Sequence, residues 1–170
     1  ATRLDSCSLD SAEPATAEPA LRDAVLWDTP DFDSVQSGEY RHAVLRVAAL
    51  ADIVVLVVSK DKYADLSVWE FMRLLQPLAQ PTLILLNKTD PAAQTTLLRS
   101  LAGKWRDFRS DPPAPVIALP YLQNPPGLAG LAVERQQMLA SLAQARRQVQ
   151  RGRYADASRR LLSAHWPAWS

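Results

Sequence analysis

Two short polar strings interrupt apolar stretches of this 170-residue chain, and each carries a carboxylate that could do chemistry. The first is Asn87-Lys88-Thr89-Asp90, directly after the apolar run that ends at Leu86. A carboxylate held there can accept two hydrogen bonds at once, from the N1–H and the exocyclic amine of a guanine ring. Adenine lacks that donor pair and would leave the carboxylate unpaired, a penalty that can discriminate by roughly 10⁴-fold or more. The Lys88 stem can lie along the plane of the base, and the Asn87 amide can bridge to neighbouring loops or to the base itself. The plain alternative is a strand-to-helix turn in which Asp90 caps the next helix. The second string is Asp28-Thr29-Pro30-Asp31, directly after Ala24-Val25-Leu26-Trp27. A carboxylate there can reach a Mg²⁺ ion through water beside a triphosphate. The backbone just past it can approach the terminal phosphate and respond to its loss. Its plain alternative is a turn or an Asx cap.

Both strings need a scaffold that presents them at strand ends. Ala24 to Trp27 reads as a short buried strand, and Tyr40 to Ala51 has apolar positions at helical spacing. Ile53 to Val58 is β-branched and continuous, which predicts a parallel strand covered on both faces. A helix over Ser67 to Leu78 follows, with Ser67 as its N-cap and Val68, Phe71, Leu74, Leu75 and Leu78 on one face. Thr82 to Leu86 is the next buried strand, then a helix over Ala92 to Trp105, then a short strand over Val116 to Leu119. The alternation predicts an α/β fold, a parallel sheet with flanking helices and right-handed crossovers. In such sheets ligands bind outside the carboxyl ends of the strands, where both strings fall.

Beyond Asn124-Pro125-Pro126-Gly127 the pattern changes to a C-terminal helical extension. Leu128 to Gln150 reads as a long helix with Leu128, Leu131, Met138, Leu142, Ala145 and Val149 along one stripe. Gly152 interrupts it, and Tyr154 to Ala164 continues as a second helix. The expected organisation is an irregular, switch-like segment over 1–20, an incomplete nucleotide-binding domain over 21–124 and the helical extension over 125–170.

The charge is uneven although the net charge is only +1. Residues 1–35 hold eight acids against Arg3 and Arg22, and residues 131–170 hold seven arginines against Glu134 and Asp156. The basic C-terminal helices suit a protein partner, a ribosome or an acidic membrane surface, or are simply a solvated face. Tyr154 is the one aromatic among those arginines, and nothing in the sequence points to direct DNA binding. The single cysteine, Cys7, excludes an intramolecular disulfide and a Cys-rich zinc site. The longest apolar run is too short to span a bilayer. A cytoplasmic setting is expected, either free or peripheral to a membrane. The chain opens without Met in a polar stretch and stops just after Trp169, and so reads as a piece of a longer protein.

Asp28-Thr29-Pro30-Asp31 and Asn87-Lys88-Thr89-Asp90, joined through Ala51-Asp52-Ile53-Val54-Val55-Leu56-Val57-Val58, resemble the third and fourth motifs of translation-factor-class P-loop GTPases. Within that class the chain is most similar to the bacterial Era-like and dynamin-like branch. The resemblance covers residues from about 14 to 120 and implies an incomplete P-loop NTPase G domain that binds GTP or GDP with Mg²⁺. It implies guanine binding by Asn87, Lys88 and Asp90. It also implies phosphate and switch roles for Asp28, Thr29, Pro30, Asp31 and Thr16, with Asp28 and Thr16 toward the metal.

The chain departs from the family pattern in four places. Asp31 stands where the third motif has Gly, whose amide binds the γ-phosphate. Phe32 stands where some members carry a catalytic Gln. Leu119-Pro120-Tyr121 replaces the usual fifth motif. No Gly-x₄-Gly-Lys-[Ser/Thr] loop occurs anywhere, and none of the five glycines has the spacing for one.

Two main readings therefore stand. One is a GTP-binding portion whose GTP hydrolysis belongs to a longer polypeptide. The other is a catalytically inactive GTPase-like module for protein interaction or scaffolding. A MinD-like ATPase is a third, against which the guanine string speaks.

Overall fold

The computed structural model describes residues 21–29, 37–121, 128–149 and 151–165. Its core is a three-stranded parallel sheet in the order β1-β2-β3, formed by Val54–Ser59, Thr82–Thr89 and Val116–Pro120. Helices α1 (Ser37–Leu50), α2 (Leu66–Leu75) and α3 (Gln94–Phe108) precede or link the strands, and α4 (Ala132–Gln148) and α5 (Arg151–His165) follow them. The fold is thus α/β, with a parallel sheet and flanking helices, in a Rossmann-like or P-loop-like layout.

The two faces of the sheet are covered unequally. Leu56 and Val58 pair with Ile84 and Leu86, which in turn pair with Val116 and Ala118. Partners across a parallel ladder share a face, and on this one Leu56, Val58, Ile84 and Leu86 are all buried. They join Trp69, Met72 and Leu75 of α2 and Leu101 and Trp105 of α3 in the main core, which also takes in Leu45, Ala49, Ala157 and Leu161 from α1 and α5. The Trp69 and Trp105 rings meet edge to face at 6.5 Å, a geometry that suits the aromatic quadrupole. On the opposite face α4 lies against β2 and β3, and Leu83 and Ile117 are buried there. Over β1 that face is open, and Val55 and Val57 are 39% and 59% exposed. The expectation that this strand is covered on both faces is met on one face only among the described residues.

Side chains complete several chain ends. The last carbonyls of a helix have no partner within it. At the end of α1 the Gln80 side-chain amide donates to the carbonyls of Ala48 and of Ala51, just past the helix, and the Ser158 hydroxyl of α5 donates to that of Ala49. The N-cap of α2 is Asp65 rather than Ser67: the Asp65 carboxylate accepts the Ser67 amide at 2.8 Å. A carboxylate also complements the positive end of the helix, which explains why the acid wins the position. The buried side of α2 is Val68, Trp69, Met72 and Leu75, a face rotated towards Trp69 and Met72, with Phe71 and Leu74 only partly buried. The C-terminal helices run over Ala132–Gln148, after a short 3₁₀ turn at Leu128–Leu131, and over Arg151–His165. Gly152 lies inside α5 rather than between helices.

Arg109, just past α3, is a buried cation. Its guanidinium grips both carboxylate oxygens of Asp111 at 2.7 and 2.6 Å and donates to the Met72 carbonyl at 2.7 Å. It also lies 4.9 Å from the centre of the Trp105 ring. One side chain therefore ties α2, α3 and the approach to β3 together. Asp111→Ala strands that charge in the interior and is expected to lower unfolding free energy by about 3 kcal/mol in urea titration. A loss under about 1 kcal/mol would mean that the pair is solvated, as surface pairs are.

Candidate functional site

The sheet directs every strand the same way, so the segments that follow β1, β2 and β3 emerge at one end. The Lys60 amide donates to the Asn87 carbonyl, extending the β1–β2 ladder by one bond, and the Tyr121 amide donates to the Thr89 carbonyl. Asn87-Lys88-Thr89-Asp90 therefore sits at the carboxyl end of the central strand, flanked on both sides by backbone. Ligand crevices of open α/β sheets form at such ends. The strand is longer than its apolar run: it continues through Asn87 and Lys88 to Thr89.

Its last residues do not keep regular register. Leu86 pairs with Ala118 and Thr89 pairs with Pro120, so β2 takes three steps where β3 takes two. The extra residue is a β-bulge, and Lys88 within it has a φ of 59°. A left-handed backbone costs an L-residue roughly 1–2 kcal/mol, and it is found where surrounding structure imposes it. The Asn87 side-chain oxygen accepts the Lys88 amide at 2.8 Å, which satisfies the donor that the bulge takes out of the ladder. The bulge also reverses the alternation of side chains. Without it Thr89 would lie on the opposite face from Leu86; with it the two share a face, and Thr89 is buried while Lys88 and Asp90 are exposed.

Asp90 makes the turn into α3. One of its carboxylate oxygens accepts the Ala92 amide at 2.9 Å, and its carbonyl accepts the Ala93 amide. The turn expected on the plain alternative is therefore present. It is an Asx turn ahead of the helix, whose own N-cap, Ala93, has no side-chain cap. It does not use up the carboxylate. Each oxygen has two acceptor positions, and Ala92 fills one of the four. The remaining capacity includes the two oxygens that a paired donor such as guanine requires.

The second string is placed differently from the expectation. Ala24 to Trp27 forms no strand, and Val25, Leu26 and Trp27 are 71%, 76% and 56% exposed. An apolar run becomes a buried strand only with a neighbour to pair with and a layer to cover it, and no described strand lies alongside. Asp28 and Thr29 accordingly follow an irregular, exposed segment rather than a strand end. The Arg146 side chain of α4 holds the start of that segment through the Arg22 carbonyl at 2.9 Å. Pro30, Asp31 and Thr16 lie outside the described residues. Among the described residues no three His, Cys, Asp or Glu side chains gather to hold a metal. Asp28 offers one exposed carboxylate, which fits Mg²⁺ only as a water-mediated contact, the mode that this reluctantly dehydrated ion commonly adopts.

Sequence reasoning missed the part played by Thr89, whose hydroxyl donates to the Leu119 carbonyl at 2.9 Å. The available signal was a β-branched hydroxyl residue at the end of an apolar strand. Among the described residues no helix is long and apolar enough to cross a membrane.

The left-handed Lys88 backbone makes a stability prediction. Lys88→Gly is expected to stay within about 1 kcal/mol of the parent, since relieved strain offsets added chain entropy. Lys88→Val is expected to lose about 2 kcal/mol, because a β-branched side chain tolerates this region poorly. Urea unfolding midpoints compare the two, and equal midpoints would show that the backbone relaxes out of the bulge. Comparison with protein-family models, with curated proteins and with solved structures gave no match to this chain.

Proposed function

We propose that the chain carries the guanine-recognising part of a GTP-binding domain of the P-loop class, with GTP hydrolysis belonging to a longer polypeptide that supplies the phosphate loop. The observation that carries the reading is the seating of Asn87-Lys88-Thr89-Asp90 on a bulge at the carboxyl end of the central parallel strand. The bulge turns Thr89 inward and leaves Lys88 and Asp90 exposed, with carboxylate capacity to spare. In this reading Asp90 reads the paired donors of guanine, the Lys88 stem lies along the ring, and Asn87 holds the bulge closed. Asp28, with Thr29 to Asp31 and Thr16, serves the phosphates and a water-bridged Mg²⁺. That ion supplies charge neutralisation for the β- and γ-phosphates when nucleotide is bound.

The bare flank of β1 supports an incomplete rather than a degenerate domain. Val55 and Val57 are large apolar side chains left in water. A strand and helix carrying the phosphate loop would cover such surface. The second reading, an inactive GTPase-like module used for protein interaction, draws on the absence of a phosphate loop and on Asp31 at the γ-phosphate position. On that reading the same apolar flank is the interaction surface.

Titration of the ¹⁵N-labelled chain with nucleosides tests the proposal. Guanosine is expected to shift the amides of Asn87 to Asp90 at millimolar concentration, and adenosine is expected to leave them in place. Asp90→Asn should move the preference to xanthosine, whose C2 carbonyl accepts from an amide where guanine donates. Equal responses to guanosine and adenosine would refute base reading. Micromolar GTP binding by these 170 residues would refute the assignment of the phosphate cradle to another segment.

A further inference from the structure

Thr89 occupies the interior position of Asn-Lys-x-Asp, between the two side chains assigned to the base. It presents no group to a ligand, because it is only 3% exposed. A hydroxyl buried at that level must find a partner, and this one donates to the Leu119 carbonyl at 2.9 Å. The Thr89 carbonyl accepts the Tyr121 amide at 3.1 Å. Pro120, the residue directly opposite Thr89, has no N–H to give. At this end the side-chain hydroxyl and main-chain carbonyl of Thr89 thus hold β3 on both sides of the proline. The next residue after Thr89 is Asp90, and the next after Pro120 is the exposed Tyr121.

We infer that Thr89 is a positioning residue, which locks Leu119-Pro120-Tyr121 against the strand end that bears Asp90 and so fixes the gap in which a purine ring is read. The inference rests on the base-reading proposal above. Adjacent strands are about 4.8 Å apart, so a ring whose edge meets Asp90 has the segment after β3 as its neighbour. A base can be discriminated by its edge only if the wall beside it does not give way. The bulge is what makes this hold available: it brings Thr89 onto the inward face, where its hydroxyl reaches β3 rather than solvent. Serine would keep the hydroxyl and lose a methyl group. Valine would keep the shape and lose the hydroxyl donor to the Leu119 carbonyl.

The test compares wild type, Thr89→Val and Thr89→Ser by amide hydrogen exchange and by titration with guanosine and adenosine. Thr89→Val is expected to speed exchange of the Tyr121 amide by about tenfold or more while the Ile84 and Leu86 amides keep their protection, since losing one part-buried hydrogen bond is worth about that factor locally. It should also lower the guanosine-over-adenosine preference by about tenfold, and Thr89→Ser should restore both. A merely structural threonine would change global protection and leave selectivity alone. If the wild type responds to guanosine and Thr89→Val matches its selectivity, the positioning role is overturned by itself. If the wild type ignores guanosine, base reading falls and this role falls with it. If Thr89→Ser behaves as Thr89→Val does, the hydroxyl is not the holding group and the inference fails.

Discussion

Everything at the carboxyl end of the sheet depends on the burial of β2. Ile84 and Leu86 are shut off from solvent on one face, and Leu83 is nearly so on the other. A strand flanked by ladders on both edges and buried on both faces cannot slide by one residue without carrying its apolar set into the wrong layer. That constraint fixes where the strand must stop being regular. The polar residues after Leu86 cannot follow the same alternation, and the bulge resolves the conflict by sending Thr89 inward and Lys88 outward. The left-handed backbone at Lys88 is the local cost of that resolution, and the packing of β2 sustains it.

The helices hold this strand in place through a small number of specific anchors. Gln80, immediately before β2, caps α1 and so ties the entry of the strand to a helix that also meets α5. The Gln80 side-chain oxygen is buried and without a partner, so the amide is oriented by its donors alone. Arg109 does the equivalent work at the entry to β3, drawing α2 and α3 together over the buried tryptophans. Buried charges are costly unless paired and hydrogen-bonded. The guanidinium here has a carboxylate, a carbonyl and an aromatic face.

Much of the scaffold was legible in the sequence because it rests on local patterns. The runs Ile53 to Val58, Thr82 to Leu86 and Val116 to Leu119 all became strands, displaced by a residue or two or extended at their ends. Of the helices between them, α2 followed from the spacing of its apolar residues, and α3 falls where a helix over Ala92 to Trp105 was expected. What escaped was set by relations between segments. Ala24 to Trp27 has the composition of a buried strand, yet composition cannot supply a neighbour. The bulge is a property of the β2–β3 pair and leaves no mark in either strand alone. Asp65 and Ser67 are both capping residues by type, and the sequence does not show which of them the helix start falls on. For the candidate site, the residues Asn87, Lys88 and Asp90 were readable from their types and order. The inward turn of Thr89, which separates the exposed pair, needed the register.

The spatial order of the strands is also their order along the chain, and this bears on how the domain is assembled. Val54 meets Thr82 and Ile84 meets Val116, so each new pairing closes a loop of about thirty residues that already contains its crossover helix. Among the described strands, none has to be inserted between two others that are already joined. Loop closure of that length is a modest entropic demand, and a sheet that grows from one side can form progressively as synthesis proceeds. The growth has a direction, from β1 towards β3. Among the described residues the outer edge of β1 is unpaired, so a further strand adds there without parting any that are already joined.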